Sequence, residues 1–239
     1  MITIANTSRR TSFEPESFHY RVDYVGRERQ PVLIIDNVFQ QAEKLVDYCV
    51  GNLNFHNADS FYPGIRMSGP QGYDKFLAVQ LRSLIQQVFG APIDRIRGAR
   101  SVYSMVVTPP EKLGLLQRIP HCDSADENTL ACVHYLCGPE HGGTSLYRHV
   151  STGFENVNVQ RQDAYRNALQ ADFERQGMPS GYINGSTPIF ERTASYEAAF
   201  NRLVMYRGFN FHSGNIAADF PFDSNPGTGR LTLNTFYYF

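Results

Sequence analysis

The sequence has almost no net charge. Its 22 lysines and arginines stand against 23 aspartates and glutamates, a formal balance of −1. That excludes the basic footprint expected of a nucleic-acid or anionic-membrane binder. Long hydrophobic runs are missing too. The longest, Pro31 to Ile35 and Leu203 to Tyr206, are strand-length, far short of the roughly eighteen residues of a membrane span. Neither nucleic acid nor membrane is therefore expected as a partner. The four cysteines (Cys49, Cys122, Cys132, Cys137) form no C-x-x-C pair, so they read as reduced thiols of a cytoplasmic protein. The segment Met1 to Gln30 lacks the apolar core and cleavage site of a secretory signal, and carries Arg9, Arg10, Arg21, Arg27 and Arg29 instead. No G-x-S-x-G elbow is present, which removes the main signature of an α/β serine hydrolase. There is no internal repeat and no low-complexity tract.

What remains is an ordinary globule, 42% hydrophobic and 19% charged over 239 residues, a length that all-β sandwiches and barrels reach undivided. Pro31 to Asp36 has the pattern of a buried strand. A helix is expected from about Val38 to Val50, capped by Asp36 or Asn37. A second is expected from about Asp74 to Phe89, where Phe76, Leu77, Leu81, Leu84, Ile85 and Val88 recur at helical spacing before Gly90. Asn52 to Gly72 reads as a loop holding the turn Phe61 to Arg66. From Arg100 onward the pattern becomes short strands: Ser101 to Val107, Leu115 to Ile119, Thr129 to Leu136, Thr144 to Tyr147, Arg202 to Tyr206, Phe209 to Phe211 and Arg230 to Phe239. Residues 151–199 interrupt them, with a helix from about Gln160 to Gln176. The expected fold is α+β: one domain, 1–239, in which 1–99 supplies supporting strand and helices. Residues 100–239 form a double-stranded β-helix, or jelly roll, with an insertion at 151–199.

The chemistry-bearing residues are dispersed along this pattern. His121-Cys122-Asp123 places an imidazole and a carboxylate two residues apart, the spacing that turns both side chains to one face of a strand while Cys122 points away. Alone, H-x-D is a common accident. His212 follows the apolar run Leu203 to Tyr206 and precedes a small turn, which suits a third ligand as well as it suits a packed core histidine. Two imidazoles and one carboxylate are the ligand set of a facial triad, which suits non-haem Fe(II) because it leaves three coordination positions open. Arg230 opens the terminal strand, with Thr232, Asn234 and Phe236 on its face. A guanidinium and a hydroxyl two residues apart form a clamp for the far carboxylate of a dicarboxylate co-substrate.

The order of H-x-D, the Gly142-Gly-Thr144 turn, a distal His212 and then Arg230-x-Thr232 resembles the Fe(II)/2-oxoglutarate-dependent dioxygenase superfamily. Gly142 to Tyr147 is similar to its turn and following strand. Arg202 to His212 is similar to the strand leading to the distal ligand, and Pro31 to Val50 resembles the opening of the prolyl-hydroxylase-like branch. Tyr62 to Arg66 is similar to a segment of an uncharacterised bacterial subgroup. The likeness spans nearly the whole chain. It implies Fe(II) held by His121, Asp123 and His212, with 2-oxoglutarate as co-substrate on Arg230 and Thr232. Tyr103 and Tyr147 are candidate helpers in binding it. Arg66, Tyr62 and Arg148 are candidate substrate contacts. The implied activity is hydroxylation of an amino-acid, peptide or small-metabolite substrate. Two other readings stay open: a catalytically silent jelly-roll binding protein, and a cupin-like metalloenzyme that does not use 2-oxoglutarate. Residues 151–199, with Tyr165, Tyr182 and Tyr196, read either as a lid that selects the substrate or as a homodimer contact.

Overall fold

Alternation along three strands decides the architecture. In β2 (Gln30–Asp36), β9 (Arg202–Arg207) and β11 (Leu231–Tyr238), the residues Leu33, Ile35, Leu203, Met205, Leu231, Leu233 and Tyr237 join one apolar core, whereas Val32, Ile34, Val204 and Tyr206 join a second core on the opposite face. A sheet buried on both faces needs cover on both. The first face is covered by α1 (Glu43–Gly51), α2 (Tyr73–Gln80) and α3 (Arg82–Phe89), which bring Leu45, Cys49, Leu77, Ile85 and Phe89 into that core. Burying one such leucine fully contributes about 1.5–3 kcal/mol. These coordinates are a computed structural model that describes residues 19–58 and 62–239. Arg9, Arg10 and Phe61 lie outside the described residues.

Among the described residues the large sheet has eight antiparallel strands. Its order runs from β1 (His19–Val25) through β2, β9, β6 (Thr129–Tyr135), β11 and β5 (Gly98–Val106) to β4 (Gly64–Ser68) and β3 (His56–Asn57). Its second face is covered by a three-stranded sheet in the order β10 (His212–Gly214), β7 (Thr144–His149), β8 (Phe190–Tyr196). An antiparallel bridge between His121 and His212 extends that small sheet by one position. The result is a double-stranded β-helix backed by helices, the fold class expected from the sequence. Between β7 and β8 lies α4 (Gln162–Gln176), whose Tyr165, Leu169 and Phe173 pack with Ile119, Tyr147, Phe190 and Phe211. It is tied to the end of β7 by a His149–Asp172 contact of 3.0 Å and by the Ser151 hydroxyl, which donates to Asp172 at 2.5 Å. Among the described residues no helix is long and apolar enough to cross a membrane.

Several elements differ from expectation, each for a physical reason. The first helix begins at Glu43 rather than Val38, because the Asn201 side chain accepts from the Phe39 N–H and donates to its carbonyl, using groups a helix would need. The expected helix over 74–89 is two helices joined at Leu81, where the backbone leaves helical geometry (φ −97°, ψ 11°). Within the expected loop, Gly64–Ser68 pairs with β5 as a strand. The expected strand Leu115 to Ile119 holds instead a 3₁₀ turn, Leu115–Gln117, closed by the Gly114 N–H donating to the Gln117 side chain. The interruption after β7 is shorter than 151–199, since Phe190–Tyr196 is β8, a strand of the small sheet.

Candidate metal centre and clamp

Backbone pairing fixes the ligand cluster before any side chain is considered. His121 and His212 exchange both N–H···O bonds at 2.9 Å, and the Asp123 N–H donates to the Gly208 carbonyl at 2.7 Å. His121 holds a single bridge and Asp123 lies in a bend, so the pair is an extended segment rather than the regular strand that the spacing suggested. The side-chain geometry is nonetheless convergent. The imidazole Nε2 of His212 lies 3.3 Å from one Asp123 carboxylate oxygen, and that of His121 lies 3.7 Å from the other. One ligand atom from each residue falls within 4.8 Å of the others. Cys122 turns the opposite way, onto the core shared by Ile119 and Phe211.

This donor set fits a divalent transition metal. The Nδ1–H of His212 donates to the Asn210 carbonyl at 3.0 Å, which leaves the Nε2 lone pair aimed at the cluster, the usual way a ligating histidine is oriented. Burial, reinforced by His212 and Arg66, holds His121 well below the ordinary imidazole range, so it stays neutral and able to ligate. Burial also pushes the Asp123 carboxyl up, while His212 and Arg66 oppose that shift. A cation at this point would restore the carboxylate. Ligands about 2.1 Å from one ion at right angles lie about 3 Å apart, close to the separations found here.

Across the cavity stands β11. Arg230 is 4% exposed. Its Nε donates to the His141 carbonyl at 3.1 Å and its Nη2 to the Gly143 carbonyl at 3.0 Å, leaving Nη1 uncommitted among the described residues. Gly143 is required at this turn, because a Cβ there would meet the Tyr196 carbonyl at 1.7 Å. The Thr232 hydroxyl donates to the Ser104 carbonyl at 3.3 Å and also meets the Tyr62 hydroxyl. Arg230, Thr232, Asn234, Tyr62 and the three candidate ligands line one cavity of about 80 Å³. Asn234 is 8% exposed, and among the described residues its Oδ1 has no hydrogen-bond partner.

The other sequence candidates divide. Tyr103 is not in this cavity: it is fully buried on the opposite face of the sheet beside Leu233, and its hydroxyl donates to the Leu45 carbonyl at 2.7 Å. The expectation that it touches the co-substrate is thus corrected, since its face of β5 is the one the helices cover. Tyr147 packs in the apolar core under α4. Arg148 is spent on Glu155 and Glu191. Tyr62, Arg66 and Tyr182 do line the cavity, and Tyr182 donates its hydroxyl to the Thr108 carbonyl at 2.6 Å. The Tyr62 hydroxyl meets that of Thr232 in the clamp. Arg66 lies on the inner face of β4, where it pairs with Ser104. Tyr165 lines a separate apolar cleft between α4 and residues 119–125, and Tyr196 joins the core of the small sheet.

A family model described as "Family of unknown function (DUF6445)" matches residues 16–237. A sequence search of curated proteins finds no match. Among solved structures, the non-heme alpha ketoglutarate dependent carbocyclase SnoK from nogalamycin biosynthesis is similar with a TM-score of 0.51 at 13% identity, over 87% of this chain and 79% of that one. The epimerase SnoN, in complex with Fe3+, alpha ketoglutarate and nogalamycin RO, is similar with a TM-score of 0.50 at 12% identity, over 88% and 79%. At such identities the likeness establishes the fold.

Proposed function

The chain belongs to the DUF6445 family, and we propose that it is an Fe(II)- and 2-oxoglutarate-dependent oxygenase that hydroxylates an amino-acid, peptide or small-metabolite substrate. One observation carries the reading: a two-histidine, one-carboxylate cluster shares a cavity with a buried arginine that, among the described residues, keeps one amine free. A structural arginine would not leave a donor aimed into a cavity, and a silent binding barrel has no use for three converging ligands. The description of SnoN, of the same fold, with Fe3+ and alpha ketoglutarate supports the choice of group. Four free thiols fit a reducing cytoplasm.

In this reading His121, Asp123 and His212 hold the metal. Arg230 Nη1, with the Thr232 and Tyr62 hydroxyls, receives the far carboxylate of 2-oxoglutarate, a charge-assisted contact made where water is scarce. Bound together, iron and 2-oxoglutarate would supply oxygen activation, with succinate and carbon dioxide as by-products. The chain's own residues orient and shield. The carbonyls of His141 and Gly143 fix the guanidinium plane, and Tyr206 and Phe236 wall the cavity against solvent. The Asn210 carbonyl keeps His212 in its ligating tautomer. Adding Fe(II) and then 2-oxoglutarate without oxygen should produce a weak visible charge-transfer band in the wild-type protein. His212→Ala should produce none. A wild-type protein without the band, or a variant that keeps it, would sink the proposal.

A further inference from the structure

The residues outward of the metal cluster form a second, more open cavity of about 180 Å³, and its chemistry is one-sided. Arg66, Arg100 and Thr129 line it beside His121 and Asp123. Strand register explains why they meet. Arg66 on β4 stands opposite Ser104, Arg100 on β5 stands opposite Phe236, and Thr129 on β6 stands opposite Tyr238, all on the face that points into the barrel. Asp123 is the one carboxylate among the lining residues, and the reading above commits it to the metal.

Three features mark this mouth as built for an anion. First, Arg66 and Arg100 line the same cavity, and their mutual repulsion, which Asp123 offsets at Arg66, would be further relieved by an anion between them. Second, the Arg66 guanidinium is stacked on the Tyr62 ring at 4.4 Å, which fixes the plane of a fork suited to carboxylates. Third, the Thr129 hydroxyl is an orphan. The residue is 1% exposed, its Oγ1 has no hydrogen-bond partner among the described residues, and it lines this cavity. A buried hydroxyl without a partner costs on the order of 1–3 kcal/mol, and an oxyanion seated on the two arginines would accept from it. Arg100 forms no ion pair among the described residues.

We propose that the mouth of the barrel is an anion subsite that seats a carboxylate of the substrate on Arg66, Arg100 and Thr129, so that the substrate class is small carboxylic acids. The assignment rests on the metal-centre reading for its relation to catalysis. A carboxylate so held would leave the carbon atoms a few bonds away facing the metal cluster. The co-substrate's own carboxylate is served separately, by Arg230, which immediately precedes β11 and lines the first cavity.

The experiment is calorimetric titration of the protein loaded with Fe(II) and 2-oxoglutarate without oxygen, and in parallel of the metal-free protein. The probes are N-acetylglycine, N-acetylleucine and benzoate, each paired with its primary amide, and inorganic phosphate. At least one acid should bind tenfold or more tightly than its amide. Arg100→Glu should erase or invert that preference, and Arg100→Lys should keep part of it, because the position is exposed and neither change threatens folding. Equal affinity of acid and amide in every pair, or Arg100→Glu titrating like wild type, would overturn the subsite. Phosphate binding more tightly than every acid would overturn its assignment to carboxylates. Failure of the metal reading is separable, since it would show as absence of the Fe(II)–2-oxoglutarate band before any probe is added, while the metal-free titrations still read the arginines.

Discussion

Leu231, Leu233 and Tyr237 sit on one face of β11, and Thr232, Asn234 and Phe236 sit on the other. The two faces share a backbone and a set of ladder bonds, yet they meet different surroundings. The first is sealed by three helices, and the polar groups it buries are paired: the Tyr103 and Tyr237 hydroxyls donate to backbone carbonyls, and His134 lies between Tyr73 and Asn201. The second faces a cavity and carries polar groups left incomplete, including Asn234 Oδ1 and the Nη1 of Arg230. Burial without a partner is costly, so of the two faces of β11 it is the one toward the cavity that has groups left for a ligand. Stability is concentrated under the helices, and chemistry is concentrated inside the barrel.

Substitutions should separate the two faces, and the largest effect is expected inside. His212→Ala removes a ligand and should abolish 2-oxoglutarate-dependent turnover while leaving the thermal midpoint within a few degrees of wild type, measurable by a succinate assay beside a melting curve. Leu233→Ala should do the reverse. It should cost about 2–5 kcal/mol of stability and leave turnover per folded molecule intact, as chemical denaturation and activity on the same sample would show. A third test uses a titrating group on the helix side. Burial pushes His134 down to about 4. Its folded value lies below its unfolded value, so its contribution is complete above about pH 6.5. It is lost as the pH falls through about 4, a swing on the order of 3 kcal/mol. Stability measured against pH should flatten over that window in His134→Gln, with turnover near pH 7 little changed. The smallest effect is expected at the clamp. Arg230→Ala should weaken 2-oxoglutarate by about tenfold to a hundredfold, the worth of one charge-assisted bond. Arg230→Lys should not restore it, since an ammonium cannot reproduce the fork held by two carbonyls. Binding titrations of the two variants check this.

How far the sequence could be read follows the same division. Where a strand is buried on both faces, as in β2, β9 and β11, its apolar content is dense and its limits were legible to within a residue or so. The candidate ligands were legible because their order along the chain carried more information than any one of them. Edge and mouth strands were not. β1 is mostly exposed and polar, β4 contributes only Met67 as a fully buried side chain, and β8 buries only Phe190 and Tyr196 at its two ends. Periodicity has little to grip in such segments. Tyr103 was misplaced for a different reason. A strand between two apolar layers offers no sequence signal for which layer each residue faces, and only pairing with Leu233 settles it. Of the mouth arginines, Arg66 was legible as a candidate substrate contact from its place after the Tyr62 to Ile65 turn, whereas Arg100 was not singled out, because its facing is set only by pairing with Phe236.

The most direct test of the division is succinate production from 2-oxoglutarate with Fe(II) and oxygen, measured side by side in wild type, His212→Ala and Leu233→Ala and normalised to folded protein. The account expects succinate from wild type and from Leu233→Ala at equal rates, and none from His212→Ala. Succinate formation by His212→Ala, or its absence in wild type, would contradict it.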